Sequence, residues 1–286
     1  MVQRVTPSDV ATQAARELFL ARLPPYLFGS VGGNTTCIEI RDSAGGLIII
    51  DAGSGIRELG VDLANRGDAG TQFPILITHF HWDHLQGLPF FRHAYVPGNQ
   101  LTFYSPVAGF AENVRYQMQP PFFPVDMSAM NATLDFVELT GSSLRLGGLE
   151  ITWRKMKHPG DSYAYRFAER DRNFVFATDA EITETDFEKN AANTRFFADT
   201  DLLILDAQYT LGEAIEKYDW GHTSPSMAVD FASAWQAKKL ALFHHEPLYD
   251  DKKIYRLLRT AHWYKRHVGS SQPEVLLAQE GMVLEV

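Results

Sequence analysis

The chain has 286 residues, 45% of them apolar and 21% charged, which supports a sizeable core and argues against disorder. Lys and Arg number 26 against 35 Asp and Glu; the net charge of −9 argues against a protein that grips nucleic acid through a basic surface. The single cysteine, Cys37, excludes an internal disulfide and a thiolate-rich metal cluster, whereas ten histidines leave an imidazole and carboxylate site open. In chain order, Val10, Ala14, Leu18 and Ala21 recur at helical spacing and predict a helical extension over 1–23, closed by Pro24-Pro25. No apolar signal segment opens the chain, and no run approaches the roughly 20 apolar residues of a membrane span, so a cytoplasmic protein without a membrane partner is expected. The stretch from Gly29 to Gly33 lacks the Lys-Ser/Thr of a phosphate loop and reads as a turn between N-terminal strands. Short β-like runs follow at 36–40, 47–50, 73–78 and 101–104. Within 105–135 the proline-broken aromatic stretch holding Tyr116, Phe122 and Phe123 reads as a cap loop, too irregular for a core element. A second set of β-like runs lies at 149–156, 174–178, 202–205, 239–243 and 274–278. Helical patterns occupy 226–237 and 251–267, the latter with Ile254, Leu257, Leu258 and Ala261 on one face. Strands with interspersed helices, and neither repeat nor linker, predict one α/β layered domain over 1–286.

Five of the β-like runs end on Asp or His: at Asp51, His79, Asp179, Asp206 and His244. Asp after a strand is also an ordinary turn former. Five such endings together predict one shared crevice at the strand ends, where rigid elements deliver functional side chains. The densest signal is Thr78-His79-Phe80-His81-Trp82-Asp83-His84, with three imidazoles and a carboxylate within six residues. In extended backbone His79 and His81 point the same way, and Asp83 and His84 reach a second point as the chain turns. Neutral imidazole and carboxylate suit Zn²⁺, Mn²⁺ or Fe²⁺. His158 precedes Pro159, which holds its backbone extended. His222 lies just before Ser224-Pro225, a helix cap and first helical residue, where an anion is favoured.

His79-Phe80-His81-Trp82-Asp83-His84 carries the HxHxDH signature, and with it the chain resembles the metallo-β-lactamase superfamily across about residues 30 to 250. Asp51 in Ile50-Asp51-Ala52-Gly53 is similar to the family's first motif, and His158 in Lys157-His158-Pro159-Gly160 to its third. Asp179 is similar to its bridging carboxylate and His244 to its last ligand. Gly221-His222-Thr223-Ser224 and Leu242-Phe243-His244 most resemble the phosphodiesterase branch, which includes the tRNA 3′-processing endonuclease and the phosphoribosyl cyclic phosphodiesterases. The resemblance implies an αββα sandwich: two mixed sheets face to face, helices outside, and a site for two divalent ions, zinc foremost, at one edge. It implies that His79, His81 and His158 hold one ion, that Asp83, His84 and His244 hold the other, and that Asp179 bridges them. His245 replaces His244 if the strand register differs. Asp51 would orient a ligand loop; Asp206 suits the same kind of role and is left unassigned.

The activity so implied is a metal-dependent phosphodiesterase in which a hydroxide shared by the ions attacks phosphorus. Asp83 and Asp179 would orient it, and His222 would protonate the leaving oxygen. The tRNA-processing relatives carry a long arm between the third-motif His and the bridging Asp; here His158 and Asp179 are only 21 positions apart. With the acidic balance, this favours a small phosphodiester, a cyclic nucleotide or cyclic sugar phosphate, over a long nucleic acid. A homo-oligomer is compatible with all of this. The alternative is acyl, thioester or lactone hydrolysis on the same ions, with Tyr163 or Tyr209 as oxyanion donor. Ser162 lacks a nucleophile-elbow context, and Cys37 reads as a small core residue.

Overall fold

The computed structural model describes residues 5–27, 30–67 and 70–286. Residues 1–4 of the expected N-terminal extension, and Gly29 of the glycine-rich stretch, lie outside the described residues.

Among the described residues the strands form two mixed sheets. The first follows chain order: β1 (Ile38–Arg41), β2 (Leu47–Ile50), β3 (Gln72–Leu76), β4 (Gln100–Ser105) and β5 (Thr133–Glu138). β1 and β2 are antiparallel, and β2 through β5 are parallel. The second sheet takes β6 (Leu144–Leu146), β7 (Leu149–Met156), β8 (Ser162–Glu169), β9 (Arg172–Ala177), β10 (Leu202–Asp206), β11 (Lys239–Phe243) and β12 (Glu274–Leu277). It is antiparallel from β6 to β9 and parallel from β9 to β12.

Side-chain alternation builds the layers. Ile48 and Ile50 of β2 pack with Leu202 and Ile204 of β10 in the core between the sheets. Ile49, one residue out of phase, faces a second core with Ile56, Leu59 and Leu63 of helix α3 (Gly55–Asn65); α1 and α2 are Pro7–Val10 and Gln13–Ala21. Leu203 and Leu205 face a third core beneath the helices on the far side. β10 is buried along its whole length, as a parallel strand covered on both faces must be. The remaining helices are α4 (Phe110–Tyr116), α5 (Glu184–Phe187), α6 (Ala191–Phe197), α7 (Leu211–Glu216), α8 (Pro225–Ala234) and α9 (Asp251–His267). In α9 the buried Ile254, Leu257 and Ala261 make one face, Asp250 Oδ1 accepts from Lys253 N–H, and Lys265, Arg266 and His267 complement the dipole of the last turn. The result is the αββα sandwich, helices on both outer faces.

Three expectations change. The N-terminal helical pattern breaks at Ala11-Thr12 into α1 and α2, because Thr12 caps Ala15 N–H; Val10 and Leu18 stay exposed, so the apolar spacing builds no buried face among the described residues. Residues 30–33 do not turn between strands: they precede β1 and are tied to distant parts of the chain, with Val31 N–H bonded to Asp251 and Gly33 N–H to Glu280. The stretch within 105–135 is not irregular throughout. It contains α4 and the start of β5, and Phe110, Val114, Met118, Met127 and Met130 are buried in the core beside α3. Tyr116 and Phe122 remain exposed.

Candidate metal centre

The parallel register puts several strand ends at one edge. Asp206 pairs with Phe243, so β10 and β11 finish side by side, with His244 next; Leu205 pairs with Ala177, two residues before Asp179. Ile50 pairs with Leu76 in the other sheet, ahead of Asp51 and of the loop holding His79 to His84. Three of these residues leave their strands in the left-handed region: φ is +59° at Asp51, +47° at Asp179 and +58° at His244. Such backbone is sparsely populated for residues with a Cβ, and it turns each side chain out of strand alternation into the crevice.

Asp51 is fully buried and fixes the histidine loop. Its carboxylate accepts from Thr78 N–H and Thr78 Oγ–H, both at 2.8 Å, and lies 2.7 Å from His84 Nδ1. With Nδ1 so engaged, His84 presents Nε2 to the crevice, where that buried atom has no hydrogen-bond partner. Asp51 thus touches both the start and the end of the loop that it was expected to orient.

Two groups of donor atoms face each other across Asp179. In the first, His81 Nδ1 lies 3.0 Å from His79 Nε2 and 3.1 Å from His158 Nε2, and Asp179 Oδ2 is 3.6 Å from both of the latter. His158 is aimed by its Nδ1–H, which donates to Gly221 O at 3.0 Å. Gly221 has φ +87°, and a Cβ there would collide with the His158 ring, so glycine is required. In the second group, His84 Nε2 lies 3.3 Å from Asp83 Oδ2 and 3.2 Å from Asp179 Oδ1. His244 Nε2 lies 3.4 Å and 3.2 Å from the same two oxygens. In each group the ligand atoms all fall within 4.8 Å of one another.

The charges differ between the groups. Burial lowers the pKa of His79 and His158, so their nitrogens carry lone pairs at neutral pH. Burial opposes a charge on His84 and His244 too, but Asp179 and its neighbours overcome it: His84 is held well above its ordinary value and His244 is raised to about 9. Burial likewise opposes ionisation of Asp179, yet His244 and His84 hold it well below the usual carboxylate range. Converging lone pairs, an orphaned His84 Nε2 and ionised carboxylates fit divalent cations.

His222 stands beside both groups, its ring 5.1 Å from that of His158 and 5.2 Å from that of His244. Its Nδ1 lies 2.7 Å from Asp206 Oδ2, and Asp206 Oδ1 accepts from Thr223 N–H at 2.9 Å. Sequence reasoning gave the fully buried Asp206 no role, although it carried the same strand-end signal as Asp51. His245 turns away, its Nε2 bonded to Ala278 O, so the crevice receives His244. His93 meets Gly60 O inside the core, and His267 stacks on Trp263. Of the two tyrosines considered as oxyanion donors, Tyr163 packs against the core between the sheets, whereas the Tyr209 ring lies 5.5 Å from that of His222.

Two mixed sheets under outer helices, with His/Asp clusters suited to metal ions at their shared edge, define a metallohydrolase sandwich. The chain belongs to the metallo-β-lactamase superfamily: the family described as the β-lactamase superfamily domain matches residues 47–245. Its fold is shared with the metallo-β-lactamase fold protein YhfI from Bacillus subtilis at 19% identity, over 88% of this chain and 91% of that one, with a TM-score of 0.65. It is also similar to a diphosphatase of the PhnP family, at 18% identity over 88% and 84% with a TM-score of 0.60. A third likeness is to the short form of human tRNase Z, at 18% identity over 90% and 95% with a TM-score of 0.59. No curated protein matches the chain by sequence.

Proposed function

We propose that this hydrolase is dinuclear and acts as a phosphodiesterase on a small phosphodiester, a cyclic nucleotide or cyclic sugar phosphate. The observation that carries the reading is the division of Asp179, with Oδ2 facing His79 and His158 and Oδ1 facing His84 and His244. His79, His81 and His158 would hold one ion, Asp83, His84 and His244 the other, and Asp179 both; zinc suits these donors, as do manganese and iron. Bound there, two such ions supply an activated water at neutral pH and offset charge on a phosphoryl oxygen.

The chain's own groups position the reaction. Asp83 and Asp179 are ionised acceptors on either side of His84 Nε2 and orient the attacking water. Asp206 holds His222 by Nδ1, which fixes the ring and leaves Nε2 to carry the other proton. Protonated, His222 gives that Nε2 proton to the departing alkoxide. A second reading, lactone, thioester or acyl hydrolysis, draws support from Tyr209. Burial pushes its hydroxyl up to about 12, so it stays a donor beside His222.

Metal analysis and turnover of bis(p-nitrophenyl) phosphate, each beside Asp179→Ala, test the reading. Bound metal, with turnover that the variant abolishes, supports it. A metal-free protein, or equal rates in the two, overturns it. Faster opening of a lactone than of the phosphodiester by one preparation selects the second reading.

A further inference from the structure

The residue between His81 and Asp83 is Trp82, and its side chain does not join the crevice: it is 67% exposed. It meets Phe122, 51% exposed, with ring centroids 6.3 Å apart in an edge-to-face arrangement. Phe122 in turn lies 5.7 Å from Tyr116, itself 62% exposed. Three large exposed rings in contact are an apolar surface that a protein leaves in water only at some cost, and such a patch marks a binding site. Its position narrows what binds. Trp82 is one peptide on either side from a donor of the first group and a donor of the second, so the patch borders the place where a phosphate would sit.

Just before Gly221 in the chain, Tyr218 and Trp220 are also exposed, but Lys157 and Lys217 lie over their faces. Among the described residues no cation–π contact covers Trp82 or Phe122. Trp82 and Phe122 are both more than half exposed, and an exposed aromatic face stacks on any planar π-system with little regard to its identity. A sugar ring offers such a face only its C–H bonds, whereas a nucleobase offers a flat π-surface that matches it over a larger area. We infer that Trp82 and Phe122 form a stacking platform for a planar aromatic group of the nucleobase class, carried by the phosphodiester that the metal centre cleaves. This rests on the phosphodiesterase reading and chooses between the two substrate classes left open by it.

The test compares adenosine 2′,3′-cyclic phosphate with methyl ribofuranoside 2,3-cyclic phosphate, which keeps the scissile ring and replaces the base by a methoxy group. The metal-loaded protein should prefer the nucleotide in kcat/KM. Trp82→Ala and Phe122→Ala should each lower that preference by about tenfold, equal to about 1.4 kcal/mol, chiefly through KM. A separate arm needs no turnover: adenosine titrated into the full-length protein should quench its tryptophan fluorescence, and Trp82→Phe should remove that component. Equal use of both substrates by the unaltered protein, an unchanged preference in both alanine variants, or quenching that survives Trp82→Phe overturns the platform. Absence of turnover on either substrate defeats the phosphodiesterase reading instead, and the quenching arm then decides the platform alone. Both replaced side chains are more than half exposed, so thermal unfolding of the variants should match that of the parent.

Discussion

The two donor groups share one carboxylate and differ in almost everything else. The first is three imidazoles, two from one loop and one from the far sheet, and burial lowers the pKa of His79 and His158. The second is two imidazoles and Asp83, and its histidines are held above their ordinary range by the surrounding carboxylates. Without an ion, His79 and His158 offer lone pairs, and the second group keeps protons where the ion would go. A buried cluster of carboxylates needs positive charge from somewhere, and protons and cations are interchangeable sources of it. The contrast teaches that proton competition should fall on one ion rather than on both.

The strongest way to break the comparison is to remove what the groups share. Asp179→Ala should empty both, with metal affinity falling by more than about 100-fold, beyond the usual loss of an outer partner; metal analysis that still finds one full equivalent would contradict the shared role. Next, His158→Ala and His244→Ala should each leave one ion of the pair, with the retained ion in opposite groups. Cobalt substitution and absorption spectroscopy would distinguish a remnant of three imidazoles and Asp179 from one of two carboxylates and one or more imidazoles, and identical spectra would collapse the distinction. The pH series sharpens it further. An ion must displace the His244 proton, so below about 9 its affinity for the second group should fall as pH falls, by about tenfold per unit for each proton displaced. The first group should keep its ion down to lower pH, and simultaneous loss of both would argue against the difference. The smallest expected effect is Asp51→Asn. It weakens the aim of His84 and should cost the second group about 10- to 100-fold in affinity while sparing the first.

Much of this centre was readable because its residue types are rare where they stand. Imidazoles and carboxylates directly after apolar runs are uncommon, and His79 to His84 form a local cluster whose spacing survives any uncertainty about the fold. Strands β2, β7 and β11 matched their expected limits, since unbroken or regularly alternating apolar runs leave little choice. The omissions have physical reasons. β8 mixes Ser162, Arg166 and Glu169 into its pattern and reads as polar until β7 and β9 are known to flank it. Helix α3 carried a signal that went unused, Ile56, Leu59 and Leu63 at helical spacing. Asp206 carried the strand-end signal without a specific role, because that role depends on His222, sixteen positions later, arriving beside it. The choice between His244 and His245 turned on a backbone angle, which strand alternation does not specify.

That angle has an evolutionary consequence. Left-handed backbone is tolerated by Gly, Asn, Asp and His, and costs other side chains on the order of 1 kcal/mol or more. At Asp51, Asp179 and His244 stereochemistry therefore limits the donor alphabet before metal chemistry is consulted. A drift toward thiolate ligation, and so toward softer metals, is disfavoured by the backbone at the two donors among them, Asp179 and His244. It would have to begin at His79, His81, Asp83, His84 or His158, none of which has a positive φ. Five of the seven donors are free to experiment, and Asp179 and His244 are held toward their present identity by the shape of the chain.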